Sequence, residues 1–214
     1  MVATGLRTHA LACERGGRGL FRAVDIDVSA GEALWVQGRN GSGKTSLLRL
    51  LCGLALPSAG TVHWLGRDVR GLREDFYRDL LYIGHAGGIK DDLTAAENLL
   101  LGARIAGQAV EEQQAQQALA QVGLGAVSRL PAARLSQGQR KRVALARLHL
   151  AHRPPLLVLD EPFNTLDQAA ADALHAALNQ HLAQGGVVVY TTHQPLALQA
   201  ARLHVLELGP AQPC

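Results

Sequence analysis

GRNGSGKT, residues 38–45, constrains this chain more than any other stretch. Before it, GEALWVQG reads as a buried strand ending on glycine; after it, SLLRLLCGL has helix spacing. A strand that turns through glycines into a helix makes backbone N–H groups converge at the helix's positive end, a seat for phosphate. The spacing fits G-x-x-x-x-G-K-[ST]. Gly38, Arg39, Asn40, Gly41, Ser42 and Gly43 are therefore expected to wrap phosphates, with Ser46 in the first helical turn. Lys44 has the reach for β- and γ-phosphates, and Thr45 offers a hydroxyl to Mg²⁺. The competing reading, a glycine-rich turn that carries a lysine by chance, leaves the strand–loop–helix context unexplained.

LLVLDEP, residues 156–162, supplies a second half. An apolar strand delivers Asp160 to the phosphate end of a sheet, where it can hold Mg²⁺ through water. Glu161 follows directly and can orient and deprotonate the water that attacks a γ-phosphate. Two acids capping the next element are the alternative, weakened by the phosphate loop in the same chain. Together the motifs imply a nucleoside triphosphate, Mg²⁺ and hydrolysis. Kinases, GTPases, helicases and transport ATPases share both motifs. No NKxD-like guanine reader is visible, which turns the expectation towards ATP.

The rest of the chain supplies a scaffold. Its 214 residues suffice for one large domain or two small lobes. LRTHALAC and FRAVDIDVS read as strands joined through GGRG, with Phe21, Val24, Ile26 and Val28 as core candidates. LPSAG is a turn and TVHWLG a further strand. From about Gly88 to Leu150 the strand pattern disappears. TAAENLLLGARIAG, EEQQAQQALAQVG and GQRKRVALARLHLAH favour helix, and EEQQAQQ is expected to be a solvated helix face. LLVLD, QAAADALHAALNQHLAQ, VVVYTTH and RLHVLEL then alternate strand and helix, which implies a parallel sheet. The expected class is α/β, with residues 1–87 and 151–214 forming one ATP-binding core and residues 88–150 a helical insertion.

Composition narrows the setting. A net charge of +3 is low for a nucleic-acid footprint. Cys13, Cys52 and Cys214 form no CxxC pair and read as reduced thiols. No apolar run approaches the roughly 20 residues that span a bilayer, and the first residues carry no apolar core of a secretion signal.

A second anion seat lies at LSQGQ, residues 135–139, where a polar turn opens a basic helix. Ser136, Gln137 and Gly138 can offer a hydroxyl and N–H groups to a γ-phosphate, backed by the helix dipole. To face the phosphate loop of its own chain, this turn would have to cross the helical insertion. A two-fold dimer removes the difficulty, because each turn then closes over the partner's nucleotide.

GRNGSGKT, LSQGQ, LLVLDEP, NTLD and TTH, in this order and spacing, resemble an ABC-type ATPase over nearly the whole chain. The resemblance implies a phosphate-loop core with a parallel sheet, an antiparallel β subdomain and an inserted helical subdomain. It makes residues 135–139, Gln139 included, the signature loop, with Gln137 where glycine is commoner. Residues 164–167 become the loop that joins the two sites through Asp167, and His193 the switch histidine at the γ-phosphate. Lys44, Glu161 and His193 are then the catalytic set, and Thr45 and Asp160 the Mg²⁺ pair. Two positions depart from that pattern. His85 stands where glutamine is usual near Mg²⁺, and a neutral imidazole is a poorer copy of an amide. Arg15 stands where an aromatic ring usually meets adenine; Arg15 or Arg18 could stack a guanidinium there instead.

CERGGRGLF, GHAGGIKDDLTAAENL, DEPFNTLD and VYTTHQPL narrow the resemblance to ATP-binding subunits of bacterial cytochrome c maturation systems, called haem exporters. There a histidine at position 85 is expected. The narrower resemblance implies a peripheral subunit on the cytoplasmic face of the inner membrane, without a regulatory domain beyond Leu208. It would dock on integral membrane subunits through residues 85–100, with Ile89 and Leu93 as contacts. No nucleic-acid partner is implied. Direct haem binding is not expected either, since His9, His63, His149, His152, His175, His181 and His204 lie in unrelated elements without CxxCH. The alternatives are an ATPase of another exporter, or a soluble ABC ATPase acting on nucleic acid or ribosomes.

Overall fold

Hydrophobic alternation builds the first sheet. In a computed structural model that describes residues 5–85, 87–150 and 153–209, β1 (Gly5–Arg15) and β2 (Arg18–Ser29) form an antiparallel hairpin. Its turn is Gly16–Gly17, both with positive φ. Val24, Ile26 and Val28 are buried, while the alternating Asp25 and Asp27 are exposed. Phe21 is half-buried and packs on the same core. β4 (Ala59–Trp64) and β5 (Arg67–Asp68) complete a four-stranded sheet in the order β2-β1-β4-β5. Cys214 and His152 lie outside the described residues.

The second sheet has five strands: β3 (Ala33–Gly38), β6 (Leu80–Ile83), β7 (Leu156–Leu159), β8 (Val187–Thr191) and β9 (Leu203–Leu208). Their order is β6-β7-β8-β3-β9, and β3 pairs in parallel with both β8 and β9, as β7 does with β8. All four residues of β7 and all five of β8 are buried, the pattern of a parallel sheet covered on both faces. Leu47, Leu48, Leu50 and Leu51 of α1 (Lys44–Leu51) join Leu34, Val36, Val158 and Val189 in one core that also holds Leu6, Leu11 and Ile26. Cys13 and Cys52 are free thiols inside it, and burial pushes both above the ordinary thiol range.

Three elements escape the sequence reading: the two-residue β5 and the two that follow it. α2 (Val69–Asp79) begins at Asp68, whose carboxylate accepts the Arg70 N–H, and buries Val69, Leu72 and Phe76. That helical spacing was present but is diluted by Gly71 and eight charged side chains from Arg67 to Asp79. β6 follows it directly. By internal contacts the chain divides into two units, Met1–Tyr82 with Pro155–Asp160 and Asn179–Cys214, and Ile83–Pro154 with Glu161–Leu178.

The second unit is helical. α3 (Ala95–Ile105) opens on a Thr94/Glu97 capping box, and α4 (Glu112–Gln121) buries Ala115, Ala118 and Leu119. The EEQQAQQ stretch exposes its glutamates and most of its glutamines, as expected of a solvated face. Asn98, buried on α3, accepts the Lys90 N–H at 2.7 Å and donates to the Lys90, Leu93 and Thr94 carbonyls. One side chain thereby fixes the loop before the helix. α5 (Gln137–Leu145) is shorter than the helix expected over GQRKRVALARLHLAH. Ala146–His149 winds on as a 3₁₀ turn and Leu150 is extended, as the chain approaches Pro154 and Pro155, which cannot continue a helix. α6 (Gln168–Ala183) starts in this unit and ends in the first.

At the end of α6, the buried His181 ring faces the Pro155 carbonyl at 3.3 Å, and a Cβ on Gly186 would overlap that ring. Gly186→Ala should therefore destabilise the chain by about 1–3 kcal/mol in denaturant unfolding, through overpacking.

Candidate functional site

Three neighbouring strands converge on one carboxylate. β7, β8 and β3 lie side by side, and the residues just past their carboxyl ends are Asp160, Thr192 and the phosphate loop. Ligand-binding crevices of open α/β sheets lie at this edge. Asp160 is only 2 % exposed. Its Oδ2 accepts the Thr45 hydroxyl at 2.7 Å and its Oδ1 the Thr191 hydroxyl at 2.8 Å. Thr45 and Asp160 are thus together, as expected. Thr191 was not anticipated, although it stands in the TTH motif, because a β-branched threonine in an apolar strand also reads as packing. Tyr82 belongs to the same unit; burial first, then the Asp160 charge, push its phenol above the usual range.

The phosphate loop is shaped by close approach. Gly38 has φ 144°, and a Cβ there would lie 2.5 Å from Ser42 Oγ and 2.7 Å from the Leu208 carbonyl. No other residue fits. Gly43 caps α1 with φ 99°, pressed against Leu20 and the Phe21 ring, so the first hairpin buttresses the loop. Lys44 Nζ donates to the Gly38 carbonyl at 2.7 Å and to that of Arg39 at 3.3 Å. Arg39, Asn40 and Gly41 are exposed at the tip; Thr45 and Ser46 are half-buried in the first turn. Ser42 Oγ is buried without a hydrogen-bond partner among the described residues. An orphaned buried hydroxyl in a glycine-rich loop is chemistry suited to an anion. The hard oxygens of Thr45 and Asp160 suit Mg²⁺. His193 is exposed, two residues past β8. Arg15 and Arg18 face each other across the hairpin end, both exposed.

The second unit holds the other residues. Ser136 caps α5: its Oγ accepts the Gln139 N–H at 3.2 Å, and Gln139 Oε1 accepts the Ser136 N–H at 2.8 Å. Gln139 is thus occupied in the cap, while Gln137 is exposed and Gly138 half-buried. A Cβ on Gly138 would sit 2.6 Å from the Thr165 carbonyl, which fixes this helix start against the segment after Glu161. Glu161 is 8 % exposed and, with φ 49°, adopts a left-handed conformation that costs a non-glycine residue about 1–3 kcal/mol. A cavity of about 450 Å³ brings together His85, Gln137, Arg140, Lys141, Glu161 and Asn164. Asp167 caps α6, accepting the Ala170 N–H at 2.9 Å.

Comparisons with known proteins place the chain in a family and a fold. A family model described as "ABC transporter" matches residues 21–164. The chain is 52 % identical over 205 residues to a cytochrome c biogenesis ATP-binding export protein CcmA of Nitrosomonas europaea, covering 95 % of each chain. It is 50 % identical to the protein of that name from Aromatoleum aromaticum, covering 93 % of this chain and 94 % of the relative. In solved structures, a dimeric ATP-binding cassette in a post-hydrolysis state with ADP and Pi has a similar fold, with TM-score 0.83, 22 % identity and 97 % of each chain covered.

The Asp160 node yields a direct prediction. Thr191→Val removes one hydroxyl donor from a buried carboxylate, and should lower stability by about 1–3 kcal/mol in thermal or denaturant unfolding.

Proposed function

The chain belongs to the ABC transporter family, among the cytochrome c biogenesis ATP-binding export proteins, and from that premise we propose how its residues serve ATP hydrolysis for a membrane complex. It is a nucleotide-binding ATPase subunit of haem export and cytochrome c biogenesis. The observation that carries the assignment of the site is the buried Asp160 carboxylate tied to Thr45 of the phosphate loop. Residues 38–46 bind the triphosphate, with Lys44 as the mobile charge that exchanges its loop carbonyls for phosphate oxygens. Thr45 and Asp160 hold Mg²⁺, which supplies charge neutralisation on the phosphates when bound. Glu161 takes the proton of the attacking water, and His193 contacts the γ-phosphate.

The lid comes from a second copy. Ser136, Gln137 and Gly138 present a hydroxyl and the first N–H groups of α5, and Gln139 keeps that turn rigid through the capping box. Asp167, at the start of α6, carries the signal between the paired sites. A two-fold dimer needs each element once per chain. His85, exposed and lining the cavity that also holds Glu161, links the base to the loop fixed by Asn98. Ile89 and Leu93 on that loop, both half-buried, meet the membrane subunits.

Among the described residues no helix is long and apolar enough to cross a membrane. In this reading integral partners on the inner membrane hold the chain at its cytoplasmic face. Haem handling is theirs; this subunit binds neither haem nor nucleic acid. Extraction of the membrane complex through a tag on this chain, with mass spectrometry, tests the partners: integral cytochrome c maturation proteins are expected, and the membrane proteins of a different exporter would overturn the assignment.

Two variants probe the chemistry. Glu161→Gln should keep ATP affinity, lose about 10²–10⁴-fold in turnover and accumulate as an ATP-bound dimer in size-exclusion chromatography. Ser136→Ala should slow hydrolysis while leaving ATP affinity of the dilute chain within about twofold, by equilibrium titration, because its ligand lies in the partner.

A further inference from the structure

Lys141 is a buried cation that the mechanism above leaves unused. It is 7 % exposed, on the second turn of α5, and lines the cavity of about 450 Å³ together with Glu161, itself 8 % exposed. Burying a charge without a counter-charge is costly. Among the acids of that lining, Asp91 is already bound to Arg140 at 2.7 Å, which leaves Glu161. Of the basic residues there, Arg140 is committed to Asp91 and His85 is exposed, so Lys141 is the buried one.

Helix geometry supports the pairing. Gly138 packs on the Thr165 carbonyl, so that face of α5 meets the segment running on from Glu161. Lys141 is three residues beyond Gly138 and projects from the same face. The segment it meets is held in an unusual backbone, left-handed at both Glu161 and Thr165. Such a conformation persists only when its surroundings over-determine it.

We propose that Lys141 is a positioning residue for Glu161. Its ammonium holds the carboxylate aimed, from a helix whose first turn is the lid. α5 therefore carries two functions one turn apart: Ser136 closes over the partner's nucleotide, and Lys141 sets the base of its own chain. Seating of the lid on one triphosphate is transmitted along a single rigid helix to the base that acts on the other. The proposal rests on the reading of Glu161 as the base.

A double-mutant cycle tests it, on the full chain, with ATP hydrolysis read as phosphate release. Lys141→Met should lower kcat on the order of ten- to a hundredfold, with KM for ATP within about twofold, as expected of a misplaced catalytic group. Lys141→Arg should restore most of the rate. In the Glu161→Gln background, Lys141→Met should change the residual rate by less than about twofold, because the two residues act as one unit. If Lys141→Met fails to fold, Lys141→Gln is carried through the same cycle. An equal fold-loss in both backgrounds, or a rise in KM without loss of kcat, would overturn the proposal alone. Near-full turnover by Glu161→Gln itself would overturn the reading of the base and the proposal with it.

Discussion

The carboxylate of Asp160 is the constraint on which the nucleotide-binding unit turns. A charge 2 % exposed is tolerable only with partners in place, and here two hydroxyls supply them from different elements. Thr45 ties it to the phosphate loop and Thr191 to the adjacent strand. The ends of β7, β8 and the loop after β3 are thereby held in one register. The parallel sheet explains why such a node is available. Its buried strands run side by side and discharge their polar residues together at one edge, where the hydrophobic run of each strand stops.

The helical unit is organised around a different economy of contacts. α5 is basic and short, yet it gathers the capping box, the close approach of Gly138 to Thr165 and the burial of Lys141. The capping box keeps the first turn wound, and the Gly138 approach fixes the helix against the segment that begins at Glu161. A lid that must engage a partner's phosphates needs such rigidity, because a frayed helix start would present its N–H groups in no fixed direction.

The phosphate loop, the acid pair and most strands were legible in the sequence, for physical reasons. GRNGSGKT allows few backbone paths, and Gly38 shows why: a side chain there would strike both Ser42 and the Leu208 carbonyl. The apolar runs of β7 and β8 were equally plain. What escaped depends on tertiary partners. Val69, Leu72 and Phe76 form a helical stripe whose meaning appears only when the core covers it. Thr191 became recognisable as a ligand of Asp160 only with the strand order known. Lys141 lay unremarked in QRKR, since charge runs are ordinarily solvated and its burial is set by packing.

The central claim is a catalytic centre divided between two copies of the chain. Mixing two separately inactive variants tests it most directly: Lys44→Ala, with a disabled phosphate loop, and Ser136→Arg, with a blocked lid. Random pairing leaves roughly a quarter of the sites composed of intact halves. The account predicts that the mixture regains ATP hydrolysis to about that fraction of the unmodified rate. A mixture no more active than either variant alone would contradict it.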